Sequence, residues 1–213
     1  MFCLSLSCLS FLMDPLMFDK PLSDDALRQL FSDARTHNAW TDQPVSDGEI
    51  ERLVSLTQLA PTSANCLPAR FVFVRSKDAK EKLRPTLAPG NVEKTMTAPV
   101  VAIIGYDTEF HHRLPQLFPH ADAKSWFDGQ PDLIEQTAFR NSSMQGGYFI
   151  MAARALGLDC GPMSGFDKAA VEKIFFPDGK TKVNFLCNLG HGDPKGLFPR
   201  SPRPAFAETA QIV

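Results

Sequence analysis

Two short stretches concentrate the side chains and backbone suited to chemistry. In PTSANCLPARF, at 61 to 71, Pro61 ends the amphipathic run EIERLVSLTQLA, and Thr62, Ser63 and Asn65 set short polar groups where that helix must stop. In GPMSGFD, at 161 to 167, two glycines and a proline surround Ser164 directly after an apolar helix, so bare N–H groups can approach a flat or anionic ligand closely. Other chemistries fit the residue order less well. GPMSG is not G-x-S-x-G, so there is no nucleophile elbow, and Cys66 has no base beside it in sequence. His111, His112, His120 and His191 lack the i, i+4 spacing of a helical metal pair, and no metal site is assigned. G-x-G-x-x-G is absent, so a nicotinamide cofactor would visit only transiently, without a Rossmann domain of its own.

These stretches must be carried by helices and strands that the patterning marks out. Ser23 caps a helix through DDALRQLFSDA, ending at Arg35, with Leu27, Leu30, Phe31 and Ala34 at helical spacing. SDGE at 46 to 49 is a capping box ahead of a helix that Pro61 stops. RFVFVRS at 70 to 76, APVVAIIGYD at 98 to 107 and VNFLCNLGHG at 183 to 192 read as three core strands, with KDAKEKLRPTLA as a short helix. From Thr108 to Pro131 no period survives, which is the mark of a lid or binding loop. A long helix follows from Asp132 to Leu156, closed by Gly157 with Leu158 beyond, and Asp167 caps KAAVEKIFF. Taken alone, GPMSGFD has the plain reading of a tight turn after a helix, and Lys94 that of a solvated loop lysine. The helix–strand alternation lacks the even spacing of a doubly wound sheet and leaves the layering open.

Composition narrows the class. The 213 residues suit one domain, set here at 21 to 213. A hydrophobic fraction of 44%, a charged fraction of 22% and a net charge of -2 are globular values with no basic field for nucleic acid. Five cysteines without CxxC or Cys/His spacing argue against a disulfide framework and for a reducing cytoplasm. The apolar stretch in residues 1 to 20 has no preceding Lys or Arg and no small-residue cleavage site, and is too short to span a membrane. It is expected to be an N-terminal extension, poorly ordered or preceding a true start at Met13 or Met17.

In this order and about a hundred residues apart, the two stretches resemble the flavin-binding signatures of the nitroreductase family. The resemblance runs from about Ser23 to the C-terminus. It is closest to the branch of malonic semialdehyde reductases of pyrimidine utilisation, through DARTHNAW, PTSANCLPAR, RLPQLFPH, TAFRNSSMQ and LGLDCGPMSGFD. It implies an α+β fold with a mostly antiparallel sheet flanked by helices, and a homodimer that exchanges C-terminal arms and holds FMN at its interface. The activity implied is an FMN-dependent NAD(P)H oxidoreductase that takes hydride at flavin N5 and gives it up in ping-pong fashion. Malonic semialdehyde would become 3-hydroxypropanoate in pyrimidine degradation. The alternatives are a broad nitroaromatic or quinone reductase, and a flavin-binding module without turnover.

Carried over position by position, the resemblance puts Arg35, Thr36, His37 and Asn38 at the phosphate and ribityl chain. Arg35 has a second reading as a cap on the negative end of the first helix. Pro61, Thr62, Ser63 and Asn65 match the loop that approaches the flavin from the other subunit, while Leu67 and Ala69 replace a Gln and a Trp frequent elsewhere in the family. Asn91 and Lys94 match positions near the pyrimidine edge of the ring, where a cation favours the charge that develops on reduction. Pro162, Met163, Ser164 and Gly165 match the loop facing N5 and O4, and Arg200 and Arg203 the C-terminal cations near the phosphate, with the register between them open. Arg70 either lies on the strand surface or meets a substrate carboxylate. Phe118, His120, Trp126 and Phe127 either contact substrate or pack the lid. No acid–base side chain is assigned.

Overall fold

The computed structural model describes residues 20–213. The expectation of an N-terminal extension falls, up to Asp19, outside the described residues. An antiparallel sheet of four strands runs in the order β1 (Ala69–Val74), β2 (Val100–Asp107), β4 (Thr181–Gly190), β3 (Asp159–Met163). The unbroken apolar run of β2 has a direct physical reason. Val100, Ala102 and Ile104 face one core and Val101 and Ile103 face another, so a strand with alternating faces is buried on both. On the first face lie α2 (Asp47–Thr57) and α6 (Pro131–Ala155), contributing Leu53, Phe149, Ala152 and Ala153. On the second lie α3 (Lys77–Leu83) and α7 (Lys168–Phe175), contributing Leu83 and Val171. This is the α+β arrangement expected from the resemblance.

Local signals account for most boundaries. The first helix is split into α1 (Asp24–Leu27) and a π-helical turn (Arg28–Ser32), both short of Arg35. At α2, Ser46 Oγ accepts from Glu49 N at 3.2 Å and the Glu49 carboxylate accepts from Ser46 N at 2.7 Å, a complete capping box. At the far end of α6, Gly157 takes φ +77° and Leu158 N donates to Ala153 O at 2.9 Å, which closes the helix as the sequence indicates.

Three expectations are corrected. GPM at 161 to 163 is not part of a turn but the end of an edge strand, β3, where Pro162 is tolerated because only one side of the strand pairs with β4. Asn91 and Lys94 sit on a helix, α4 (Pro89–Thr97), started by Pro89 in its first turn. The excursion from 108 to 131 holds helical turns at Phe110–Arg113, α5 (Leu114–Leu117) and Ala123–Trp126 around a core of its own, with Phe110, Leu114, Ala123 and Phe127 packed on Cys66, Tyr106 and Ala138. Its period was hidden because each turn is too short to repeat one. No helix among the described residues is long and apolar enough to cross a membrane.

The outer edge of β3 is covered by the chain from Thr36 to Trp40. Thr36 bridges Cys160, His37 N donates to Cys160 O at 3.0 Å, and Trp40 bridges Gly192. His37 is buried, its Nε2 3.4 Å from Asp159 Oδ1, while Asp159 Oδ2 accepts from Gly192 N at 2.9 Å. A Cβ on Gly192 would fall inside the His37 ring. Gly192→Ala is therefore expected to lower stability by about 1–3 kcal/mol through overpacking. Urea unfolding followed by far-UV circular dichroism measures it, and an unchanged midpoint would contradict the packing described.

Candidate functional site

Three sequence-distant segments meet along β3. The strip Arg35–Trp40 lies on its outer edge, and α4 lies at its exit: Asn91 Nδ2 donates to Gly165 O at 2.8 Å and Ala88 N to the same oxygen at 3.0 Å. A Cβ on Gly165 would stand 2.7 Å from Asn91 Nδ2, so the close approach needs glycine there. Trp40 Nε1 donates to Lys94 O at 3.0 Å, which ties the strip to α4. Of the residues singled out from sequence, Arg35 to Asn38, Asn91, Lys94 and Pro162 to Gly165 thus lie on neighbouring segments of one wall, with Met163 turned into the core and Arg35, Thr36, Asn38 and Lys94 lining the cavities along it. His37 is the exception in role, since its ring is taken up by packing against Gly192 and Asp159, and its buried Nδ1 has no partner among the described residues.

At one end of this wall is a cavity of about 400 Å³ lined by Arg35, Arg154, Arg200 and Arg203 together with Thr36 and Asn38. The four guanidinium groups are held by backbone carbonyls. Arg35 donates to Phe198 O, Arg200 to Ser32 O at 2.6 Å and Ala34 O at 2.9 Å, Arg154 to Leu30 O at 2.9 Å, and Arg203 to Ser201 O at 3.0 Å. Among the described residues no carboxylate lines the cavity and none of the four is ion-paired. The positive charge is uncompensated and orientated by the fold, which suits a multiply charged anion. Asn38 and Phe198 also line an adjoining cavity of about 450 Å³, bounded by Trp40, Gly90, Glu93 and Lys94. Both Arg200 and Arg203 line the basic cavity, and Arg35 engages the C-terminal segment instead of capping the first helix.

The loop after α2 belongs to a different part of the molecule. Ala64, Asn65 and Leu67 have φ of 48°, 49° and 39°, a strained left-handed backbone for residues with a Cβ. Side-chain bonds hold it there. Asn141 Oδ1 of α6 accepts from Ser63 N at 2.8 Å, Thr62 Oγ1 from Leu67 N at 3.2 Å, and Asn65 Nδ2 donates to Leu117 O at 2.8 Å. One turn along α6, Gln145 Oε1 accepts from Ala69 N at 2.9 Å. These bonds run to α6 and α5, away from the basic cavity. Cys66 is buried in the loop, and burial pushes its thiol up to about 11, so it is no nucleophile at neutral pH.

The proposed substrate contacts separate. Arg70 is ion-paired with Asp107 and donates to Ala69 O at 2.9 Å, which leaves it a structural strand residue, not a free carboxylate receptor. Phe127 is core, with its ring edge-on to Phe110 at 5.0 Å. Phe118, His120 and Trp126 instead form an outer aromatic group, at 5.0 Å for Phe118 to His120 and 6.2 Å for Phe118 to Trp126, with Trp126 half exposed. Trp40, Arg154, Phe198, Asn141 and Gln145 are not marked as site residues by the sequence. The last two carried a signal, because they stand i, i+4 on the buried side of a helix where amides need partners. Arg154 carried none, being one arginine among many.

A model of the family described as "Nitroreductase family" matches residues 32–191. The chain belongs to the nitroreductase family. A Burkholderia lata relative whose name pairs NADH dehydrogenase with NAD(P)H nitroreductase is 63% identical over 191 residues, covering 90% of this chain and 98% of that protein. The fold of this nitroreductase family member is similar to that of the Bacillus subtilis nitroreductase ydfN, with TM-score 0.81 at 22% identity over 89% of this chain and 99% of that one. An Exiguobacterium sibiricum nitroreductase solved in complex with FMN shares it too, with TM-score 0.76 at 20% identity over 91% and 99% of the two chains.

Burial of Cys66 gives a direct check. In the native protein at pH 8 its alkylation by iodoacetamide is expected to be roughly a hundredfold slower than that of an ordinary free thiol. Peptide mass spectrometry reads it, and labelling at the free-thiol rate would show the loop to be open.

Proposed function

We propose that this chain is an FMN-dependent NAD(P)H oxidoreductase that works as a homodimer and reduces malonic semialdehyde. The observation that carries the reading is the basic cavity joined to a wider one along β3. Its donor set, four guanidinium groups without a lining carboxylate, fits a phosphate monoester, and the adjoining space fits a polar chain and a planar ring. Arg35, Arg200, Arg203 and Arg154 would hold the phosphate, Thr36 and Asn38 the ribityl chain, and Asn91, Lys94 and the Pro162 to Gly165 segment the ring. FMN, when bound, supplies hydride chemistry between NAD(P)H and an acceptor. The chain's own part is to orient both reactants on one ring face and to set the charge around it, Lys94 contributing a cation.

Assembly of two copies is supported by apolar surface left uncovered. On α6, Leu133, Phe139, Met144 and Tyr148 are each more than two-fifths exposed, and beyond the sheet Phe206, Ile212 and Val213 stand in solvent. The strained loop holding Pro61, Thr62, Ser63 and Asn65 would then complete the partner's site, which accounts for its bonds running away from its own cavity. Reduction of a nitroaromatic or quinone is the second reading, and the words NAD(P)H nitroreductase in the names of two relatives favour its nitro part. Phe118, His120 and Trp126 are the candidates for contact with either substrate.

Purified protein is expected to bind FMN and to lose its flavin absorption under anaerobic NADPH. A protein that binds FMN but does not bleach would be a flavin carrier. Loss of one charge-assisted contact, ~1.5–3 kcal/mol, predicts that Arg200→Ala weakens FMN binding about 10- to 100-fold, read by quenching of FMN fluorescence. Comparing kcat/KM for malonic semialdehyde and a nitroaromatic under one condition decides the substrate. A higher value for the nitro compound would transfer the assignment to the second reading.

A further inference from the structure

The last turn of α4 lacks a backbone cap. The helix ends at Thr97, Ala98 is extended with ψ 140°, and Pro99 behind it has no N–H to return. Side chains from three other parts of the chain meet its carbonyls instead. Trp40 Nε1 donates to Lys94 O at 3.0 Å, and Asn188 Nδ2 of β4 donates to the same oxygen at 3.1 Å. Lys80 Nζ of α3 donates to Met96 O at 3.3 Å and to Ala98 O, its side chain buried and, among the described residues, paired with no carboxylate. A cation there also meets the negative end of the helix dipole.

These donors are themselves seated. A Cβ on Gly190 would stand 3.2 Å, and one on Gly161 3.4 Å, from the Trp40 indole, so two neighbouring strands leave it a slot. Asn188 is fully buried, and Thr95 Oγ1 stands 3.5 Å from both Asn188 Nδ2 and Met163 Sδ, which links the same turn to β3. The residue whose carbonyl receives two of these bonds, Lys94, is also the cation lining the wider cavity.

We propose that Trp40, Asn188 and Lys80 are positioning residues that clamp the last turn of α4 and thereby hold the Lys94 ammonium at the ring edge of bound FMN. The inference rests on the FMN reading above. A fixed cation favours the ring after it has gained charge over the ring before, whereas a loosened turn lets the ammonium move into water and weakens that preference.

The test is an anaerobic redox titration of the FMN-loaded protein, wild type against Trp40→Phe, Lys80→Met and Lys94→Met and the two doubles with Lys94→Met. Trp40→Phe keeps the ring and removes the donor, and Lys80→Met keeps the apolar stem. Each is expected to lower the ratio of affinities for reduced over oxidised FMN about tenfold, a potential about 30 mV more negative for a two-electron couple. In the Lys94→Met background neither should change it further. The proposal is overturned if both single variants bind FMN stoichiometrically at the wild-type potential. It is overturned equally if Trp40→Phe shifts the potential as much without Lys94 as with it, since Trp40 would then act by direct contact. Should Trp40→Phe not fold, Lys80→Met decides alone. A wild-type protein that takes up no FMN overturns the cofactor reading itself, and the proposal with it, before any variant is compared.

Discussion

The strip from Thr36 to Trp40 lies flat against β3 and the end of β4 because three residues offer it no side chain. A Cβ on Gly161 would stand 2.6 Å from His37 O, one on Gly190 would crowd Trp40, and one on Gly192 would enter the His37 ring. The close approach lets Cys160 O accept from His37 N, which satisfies an edge strand that would otherwise present open hydrogen-bonding groups. From that contact the rest of the site follows. It sets Arg35 within reach of Phe198 O, and so fixes where the C-terminal segment returns. It also sets the Trp40 indole against α4.

Much of this was legible in the residues and some was not. The run VVAIIGY of β2 announced a strand buried on both faces, and Ser46 with Glu49 announced the start of α2, because each signal is local and each was used by the fold for its local purpose. The edge strand β3 was hidden because glycine and proline carry its sequence, and its reason for being a strand lies in the pairing with β4 and the cover from Thr36, both remote. The helix α4 was hidden for the related reason that its C-terminal turn is finished by side chains 16 to 94 positions away, beyond the reach of its local pattern. The arginine-lined cavity was half legible. Arg35, Arg200 and Arg203 were found by likeness to a family, while Arg154 projects from a helix whose register places it there and whose sequence says nothing special.

One helix connects the basic cavity with the strained loop. Near its C-terminus α6 brings Arg154 to the basic cavity, and in its middle Asn141 and Gln145 pin the loop whose backbone is most strained. A helix of 25 residues closed at its end by Gly157 is a stiff spacer between them. Both buried amides face inward, so the outer apolar face of the same helix remains free while the loop is held.

The placement of the two tryptophans has an optical corollary. Trp40 is partly shielded, bonded through its indole nitrogen and set in the wall of the wider cavity, while Trp126 is 52% exposed on the aromatic group of the excursion. Ultraviolet excitation therefore produces two emitters of different colour, a bluer one reporting on the interior and a redder one on the outer aromatic group. Ligands arriving at the cavity and ligands arriving at the outer aromatic group would register in separate parts of one emission band, without any attached dye.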